Sequence, residues 1–331
     1  MLAPAAPLPP FSSFAEGAQA VLELLHERLG FALWMVTRVV GEDSIVLEAA
    51  DRGYGVVGGD VFRWSESFCS RMVEGLGPRI APNVHSVAAY AAAPLARQVT
   101  IGAYVSVPIE LEDGSLFGTL CALDPVPQPE RILEEEALVG LFSRLLGTLA
   151  AASLRTEDAT RLAEYAELHA STDALTGIAN RRAWDQILET EEARSRRFGS
   201  PVAVLAVDLD DLKCVNDTEG HVGGDALLVA AAGALVGVCR DTDLAARTGG
   251  DEFALLVPGC NEAGLESLVQ RVEEAFAAAG VRASIGVASR SPQAGLVAAW
   301  LAADEAMYAS KARRGVTRGD LAQEITASSP A

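Results

Sequence analysis

RTGGDEFALLV, residues 247–257, sets two glycines and two adjacent acids ahead of an apolar run. Gly249 and Gly250 supply the backbone freedom of a tight turn, so the stretch reads as a β-hairpin turn leading into a buried strand. Upstream, PVAVLAV (201–207) is an apolar strand that runs directly into the acidic segment DLDDLK, 208–213. Asp208 therefore ends a buried strand, where a lone carboxylate is costly to keep ionised without a partner. If the hairpin's strands neighbour PVAVLAV, then Asp208, Asp251 and Glu252 converge on one spot, and such hard oxygen ligands are what Mg²⁺ requires. Taken in isolation, GGDE is better explained as a turn whose acids face water. The surrounding sequence reverses that preference.

Around this pair lie a helical stretch, NRRAWDQILETEEARSRRFG, an apolar helix at about 223–238, a helix at 262–279, the strand VRASIGVA and a last helix at 293–313. Strands alternating with helices predict a sheet flanked by helices, with ligands collecting near the carboxyl ends of strands. Residues 14–125 form a second α/β pattern that ends in VSVPIELEDGSLFGTLCALD, two apolar runs around Asp113-Gly114 that signal a hairpin. From Pro129 to about Leu168 the larger apolar residues recur three or four apart, as in one long helix. That helix reads either as a parallel coiled coil with an Ala-rich seam or as a domain-terminal helix followed by a solvated linker.

The 331 residues, half of them hydrophobic, suffice for two domains. A formal net charge of -19 argues against sequence-independent binding to nucleic acid or an anionic membrane, so an anionic substrate would need a local cation. Five scattered cysteines without a C-x-x-C pair suggest reduced thiols in a cytoplasm. The N-terminus has no basic segment of the signal-peptide kind. The apolar tract at 226–239 reads as too short to span a bilayer and as a buried helix, so the expectation is a soluble, cytoplasmic protein. No G-x-x-x-x-G-K-[ST] occurs, which excludes a P-loop.

STDALTGIANRRAWD, VDLDDLKCVNDTEGHVGGDALL, RTGGDEFALLV, ASIGVA and DEAMYASKARRG occur in this order. Together they resemble the GGDEF domain of diguanylate cyclases, over residues 171 to 316. The resemblance implies an α/β (α+β) fold, a mixed sheet flanked by helices like the polymerase palm and the class III nucleotide cyclases. It implies condensation of two GTP molecules into cyclic di-GMP with release of two pyrophosphates. Carried over by motif, Asp208, the Leu209 carbonyl and Asp251 would be metal ligands, with Glu252 a further ligand or the acid-base group beside the attacking 3′-hydroxyl. The cofactor would be Mg²⁺, with Mn²⁺ as the alternative ion.

Asn216 and Asp225 would read guanine, because a carboxylate accepts from both N1–H and the exocyclic amine, a donor pair adenine lacks. Amides at the start of the helix after Asp208 would hold phosphates, since helix N-termini bind anions. Lys213 and Lys311, the only lysines beside 24 arginines, fall on phosphate-contacting positions of the family. His221 is equally well a substrate contact or a hydrogen-bonded structural residue. Arg314 precedes Gly315 where the family has the reverse order, which bears on triphosphate affinity more than on catalysis. Arg240-x-x-Asp243 matches the family's product-inhibition site, the alternative being a turn with a surface salt bridge; an arginine fork suits phosphate and guanine alike.

FCSRMV, NVHSVAAYAAAPLA and the hairpin at 104–124 resemble, more loosely, a GAF domain binding an unknown small ligand. Cys69 reads as a core thiol there, and His85 is weak ground for a haem. The expected order is therefore a GAF-like sensor at 14–128, a signalling helix at 129–170, a GGDEF catalytic domain at 171–316 and a tail at 317–331. Two guanylates joined symmetrically require two half-sites face to face, hence a homodimer, with cyclic di-GMP as product and inhibitor. The alternative is a non-catalytic receptor for GTP or cyclic di-GMP. Three metal-binding acids favour the enzyme.

Overall fold

The computed structural model describes residues 10–167 and 171–327, and side chains to 313 except that of 167. Two compact units, Met1–Glu157 and Asp158–Ala331, meet at a boundary inside one helix.

The first unit contains α1 (Phe14–Leu29), β1 (Leu33–Val40), β2 (Asp43–Asp51), β3 (Val61–Arg63), α2 (Phe68–Val73), β4 (Ile80–Ala81), α3 (Ala88–Ala91), α4 (Leu95–Gln98), β5 (Ala103–Glu110), β6 (Leu116–Asp124) and most of α5 (Glu136–Glu167). Its strands form one antiparallel sheet in the order β3-β2-β1-β6-β5-β4. The expected hairpin is the β5–β6 pair, which meets at Glu110 and Leu116. Ser13 caps α1 by accepting from the Glu16 amide, satisfying a donor the first turn leaves free. The long helix begins at Glu136 and not at Pro129 as the sequence predicts, because Glu130–Glu135 wind as a 3₁₀ segment. Within this unit α5 buries Val139, Ser143, Leu146 and Ala150, a stripe of one helical period, and Ser143 Oγ donates to the Pro108 carbonyl.

The second unit contains the end of α5, β7 (Ala179–Asn180), α6 (Arg181–Phe198), β8 (Val202–Leu209), α7 (Leu212–Val238), β9 (Leu244–Arg247), β10 (Glu252–Pro258), α8 (Leu265–Ala278), β11 (Ala283–Ser289) and α9 (Gly295–Ala327). The sheet is mixed: its order is β11-β8-β10-β9-β7, with antiparallel pairs except β7–β9. Every residue of β8 is buried, because helices cover both faces. Ala203, Leu205, Val207 and Leu209 join the core that holds Leu228 and Val272, and Val202, Val204 and Ala206 join the one that holds Trp184 and Met307. A continuous apolar run is the signature of such a doubly covered strand.

Three expectations need correction. The tract at 226–239 is half buried: Leu228, Ala231, Ala232 and Leu235 face the core, while Val229 and Val236 are exposed, since the sheet covers only one side of α7. By length and composition 130–166 and α7 could each cross a membrane, although each turns one face into a core. Finally, α9 continues to Ala327 instead of ending near 313, as no proline interrupts the chain before 330.

Gly286 on β11 faces the closest helix approach in this unit: a Cβ there would lie 2.0 Å from the Ala303 carbonyl oxygen and 2.3 Å from the Met307 amide of α9. Backbone cannot yield as a side chain does. Gly286→Ala is expected to destabilise the second unit by about 1–3 kcal/mol, the usual cost of overpacking, read as a lower thermal midpoint; an unchanged midpoint would refute the close packing.

Within the second unit the last turns of α5 are tied to α6 by ions. Arg161 donates to Glu191 through Nε (2.8 Å) and Nη2 (3.1 Å) and to Asp158 (2.5 Å). Arg194 donates to Glu191 (2.6 Å) and Glu164 (2.5 Å). Glu191 is fully buried, so its charge depends on both guanidinium groups.

Candidate active site

The hairpin places the acids. Glu252 opens β10 directly opposite Asp208 at the end of β8, and Ser284 of β11 flanks Asp208 on the other side. Asp251 is drawn to the same strand end, its carbonyl accepting from the Leu209 amide at 3.1 Å. Thr248 and Gly249 amides both point at the Glu252 carbonyl (2.9 and 3.3 Å), which closes the turn. A Cβ on Gly249 would fall 2.4 Å from Glu252 Oε2, so the acid's side chain folds over a position that only glycine leaves open.

Asp208 is 4% exposed and lies on the sheet face that α9 covers, where Lys311 Nζ donates to its Oδ1 at 2.5 Å. Burial pushes the Asp208 carboxyl above its usual range against the pull of this ammonium. Lys311 moves up too: burial alone would lower it, and the hydrogen bond and charge of Asp208 outweigh that. The three expected acids therefore stand at one strand end. Asp208 and Glu252 are cross-strand neighbours with Asp251 beside them, yet among the described residues no three carboxylates are gathered closely enough to hold an ion. The charge partner of Asp208 among the described residues is the Lys311 ammonium. The donor chemistry itself, carboxylates plus the Leu209 carbonyl, fits a hard divalent cation.

Beside this strand end, α7 starts at Leu212 after the capping position Asp211, which is ion-paired with Arg282. Lys213 is exposed on its first turn. The helix is kinked at Gly220 (φ 75°, ψ 178°), and the kink folds its first segment back so that Asn216 Oδ1 lies 2.0 Å from where a Gly224 Cβ would be. Asn216 thus packs on Gly224, the residue before Asp225 in the chain. Asp225 and His221 are exposed there. The side chain of Arg314 lies outside the described residues.

Arg240 and Asp243 form a tight turn: the Asp243 carboxylate accepts from the Arg240 amide at 2.8 Å, and the Asp243 amide donates to the Arg240 carbonyl at 3.0 Å. Asp243 is buried, which raises its carboxyl, and its Oδ1 has no hydrogen-bond partner. Asp243 holds the backbone of Arg240, and Arg240 is exposed.

Sequence reasoning gave no role to Arg247 and Asp173, though both stand inside its motifs. Arg247 donates to the Gly250 carbonyl (Nη2, 2.7 Å) and to Asp173 (Nη1, 3.1 Å), tying the turn to the segment before α6. Burial would raise Asp173, but Thr176 and Arg247 hold it below the usual carboxylate range. A buried-side arginine three residues before a Gly-Asp turn was the available signal.

The family model described as "Diguanylate cyclase, GGDEF domain" matches residues 170–316. Probable diguanylate cyclase DgcC of Escherichia coli is 34% identical over 178 residues, covering 50% of this chain and 48% of the relative. Diguanylate cyclase DgcP of the same species is 32% identical over 183 residues, covering 54% and 52%. The chain thus spans about half the length of these curated relatives. The crystal structure of the GGDEF domain of DgcB from Caulobacter crescentus in complex with c-di-GMP is 30% identical, covering 44% of this chain and 91% of that one, with a TM-score of 0.41.

Proposed function

Residues 170–316 belong to the GGDEF family of diguanylate cyclase domains, and on that premise we propose that the protein condenses two GTP molecules into cyclic di-GMP and two pyrophosphates. The observation that carries the reading is the register of Glu252 opposite Asp208 at a buried strand end, with Lys311 on the same carboxylate. Asp208, the Leu209 carbonyl, Asp251 and Glu252 would hold Mg²⁺ or Mn²⁺. The ion would neutralise charge on the α-phosphate and acidify the 3′-hydroxyl. Glu252 would take the hydroxyl proton. Asn216 and Asp225 orient guanine by accepting its N–H donors, while Lys213, Lys311, Arg314 and the first amides of α7 take the triphosphate.

Two such sites must meet to close the ring. On α5 the exposed residues Leu141, Leu145, Thr148, Ala152, Arg155, Ala159 and Leu162 recur at alternating steps of four and three, the spacing of a coiled-coil seam, which supports a homodimer through this helix. The antiparallel six-stranded sheet and the cavity beside α2 support reading the first unit as a GAF-like sensor with a small ligand. Arg240 and Asp243 would bind cyclic di-GMP as an inhibitor, Asp243 presenting the arginine. We place the protein in the cytoplasm, acting without nucleic acid or membrane.

The deciding experiment is incubation of the purified chain with GTP and Mg²⁺ and chromatography of the products. Cyclic di-GMP with two equivalents of pyrophosphate is expected. Bound but unconverted nucleotide would make the protein a receptor instead. In the same assay Arg240→Ala is expected to relieve inhibition by added cyclic di-GMP while leaving the initial rate intact; inhibition that persists would reduce Arg240-x-x-Asp243 to a structural turn.

A further inference from the structure

The first unit encloses a cavity of about 200 Å³ whose wall includes Met35, Tyr54, Phe62 and Tyr104, and which two cysteines share: Cys69 from α2 and Cys121 from β6. The two thiols meet inside the fold. Ser106 is the cross-strand partner of Cys121 and its hydroxyl also reaches the Cys69 sulfur at 3.7 Å, so all three side chains occupy one point on the sheet face. The largest polar influence on the Cys69 thiol is the Cys121 thiol. Both cysteines are free and buried, and burial ordinarily makes a thiol inert by keeping reagents out. Here the cavity reaches Cys69, which keeps 7% of its surface accessible, while Cys121 at 0% stays closed behind it.

We propose that Cys69 and Cys121 form a dithiol that a small hydroperoxide entering this cavity converts reversibly to a disulfide. The chemistry balances. The Cys69 thiolate attacks one peroxide oxygen, forming a sulfenic acid and expelling an alkoxide or hydroxide that takes up the proton Cys69 gave up. The Cys121 sulfur then attacks the sulfenic sulfur, the S–S bond forms, the S–O bond breaks and water leaves. Two thiols and one hydroperoxide become one disulfide, one alcohol or water, and one further water; the thiols lose two electrons and the O–O bond accepts them.

The local polarity divides the roles. Hydrogen bonding from Cys121, with the hydroxyls of Tyr104, Thr119 and Ser106, holds the Cys69 thiol below its usual range against burial. Its neighbour Cys121 is pushed up, by the same contact and then by burial. An attacking thiolate beside a protonated resolving thiol is the arrangement that sulfenic acid chemistry uses. The remaining cysteines, Cys214, Cys239 and Cys260, lie in the other unit and serve as internal references, Cys214 being exposed.

The test treats the folded full-length chain with hydrogen peroxide, alkylates the remaining thiols and maps the peptides without reduction. A peptide joining Cys69 to Cys121 is expected, with the mass of the chain falling by about 2 Da for that link and dithiothreitol restoring both thiols. In Cys121→Ser the link is lost, and dimedone is expected to label Cys69 as a sulfenic acid. The wild-type map decides the matter even if that variant fails to fold. If Cys69 and Cys121 stay reduced while Cys214 is oxidised, or become linked only in denaturant, the cavity does not deliver oxidant and the proposal is overturned.

Discussion

Glu252→Gln and Asp251→Asn are each expected to lower cyclic di-GMP formation by about a hundred- to a thousandfold, the scale on which single preorganised electrostatic groups act. Both replacements keep side-chain volume and remove one negative charge at the strand end where Asp208 and Glu252 stand in register. Glu252 folds over Gly249, so the amide keeps that packing while it can neither accept the hydroxyl proton nor balance a divalent cation. The measurement pairs initial rates with a thermal melt and with GTP binding at equilibrium. Loss of turnover with an unchanged melting profile is the expected pattern. Retention of more than a small fraction of wild-type rate in both variants would sink the assignment of these acids, and loss of the fold in either would move them to a structural role.

The second large effect is on stability. Glu191→Ala removes the carboxylate that Arg161 and Arg194 share and leaves two guanidinium groups, each under a tenth exposed, facing one another. Breaking a buried pair from one side costs about 3–5 kcal/mol, and because Arg161 keeps Asp158 and Arg194 keeps Glu164 the loss is expected at the lower end of that range. That is a large part of the 5–15 kcal/mol by which domains are ordinarily stable, so the melting transition of the second unit is expected to fall steeply. Arg181→Ala is the matched control: its pair with Asp185 is over half exposed on both sides and is worth no more than about 1 kcal/mol. Equal losses in the two variants would show that burial of Glu191 contributes nothing beyond a surface pair.

Much of this molecule was legible in its residues. Continuous apolar runs placed β8 and β10, strands covered on both faces, and apolar residues recurring three or four apart placed the helices, because burial on a regular backbone follows that backbone's geometry. Turn chemistry did the same for the two hairpins, at Asp113-Gly114 and at Gly249-Gly250, since a tight turn restricts which residues fit. Asp208 stood out for a similarly local reason: a carboxylate at the end of an apolar strand requires a partner.

The partners themselves belong to the tertiary structure. Lys311 lies 103 residues from Asp208 and reaches it only because α9 covers the face of β8 on which Asp208 sits. The three acids reach one strand end because β8 pairs with β10 and the Leu209 amide donates to the Asp251 carbonyl, contacts that no spacing reveals. Arg247 bridges Asp173 and the Gly250 carbonyl across 74 residues, and Cys69 of α2 and Cys121 of β6 line one cavity. Periodicity and turn preference are set by neighbours along the chain, and so the sequence by itself determined the elements, their order and the acids at the strand ends. Which charge meets which, how far α7 is exposed and what lies inside the first unit follow from packing between distant segments, where desolvation and Coulomb attraction are decided by three-dimensional proximity.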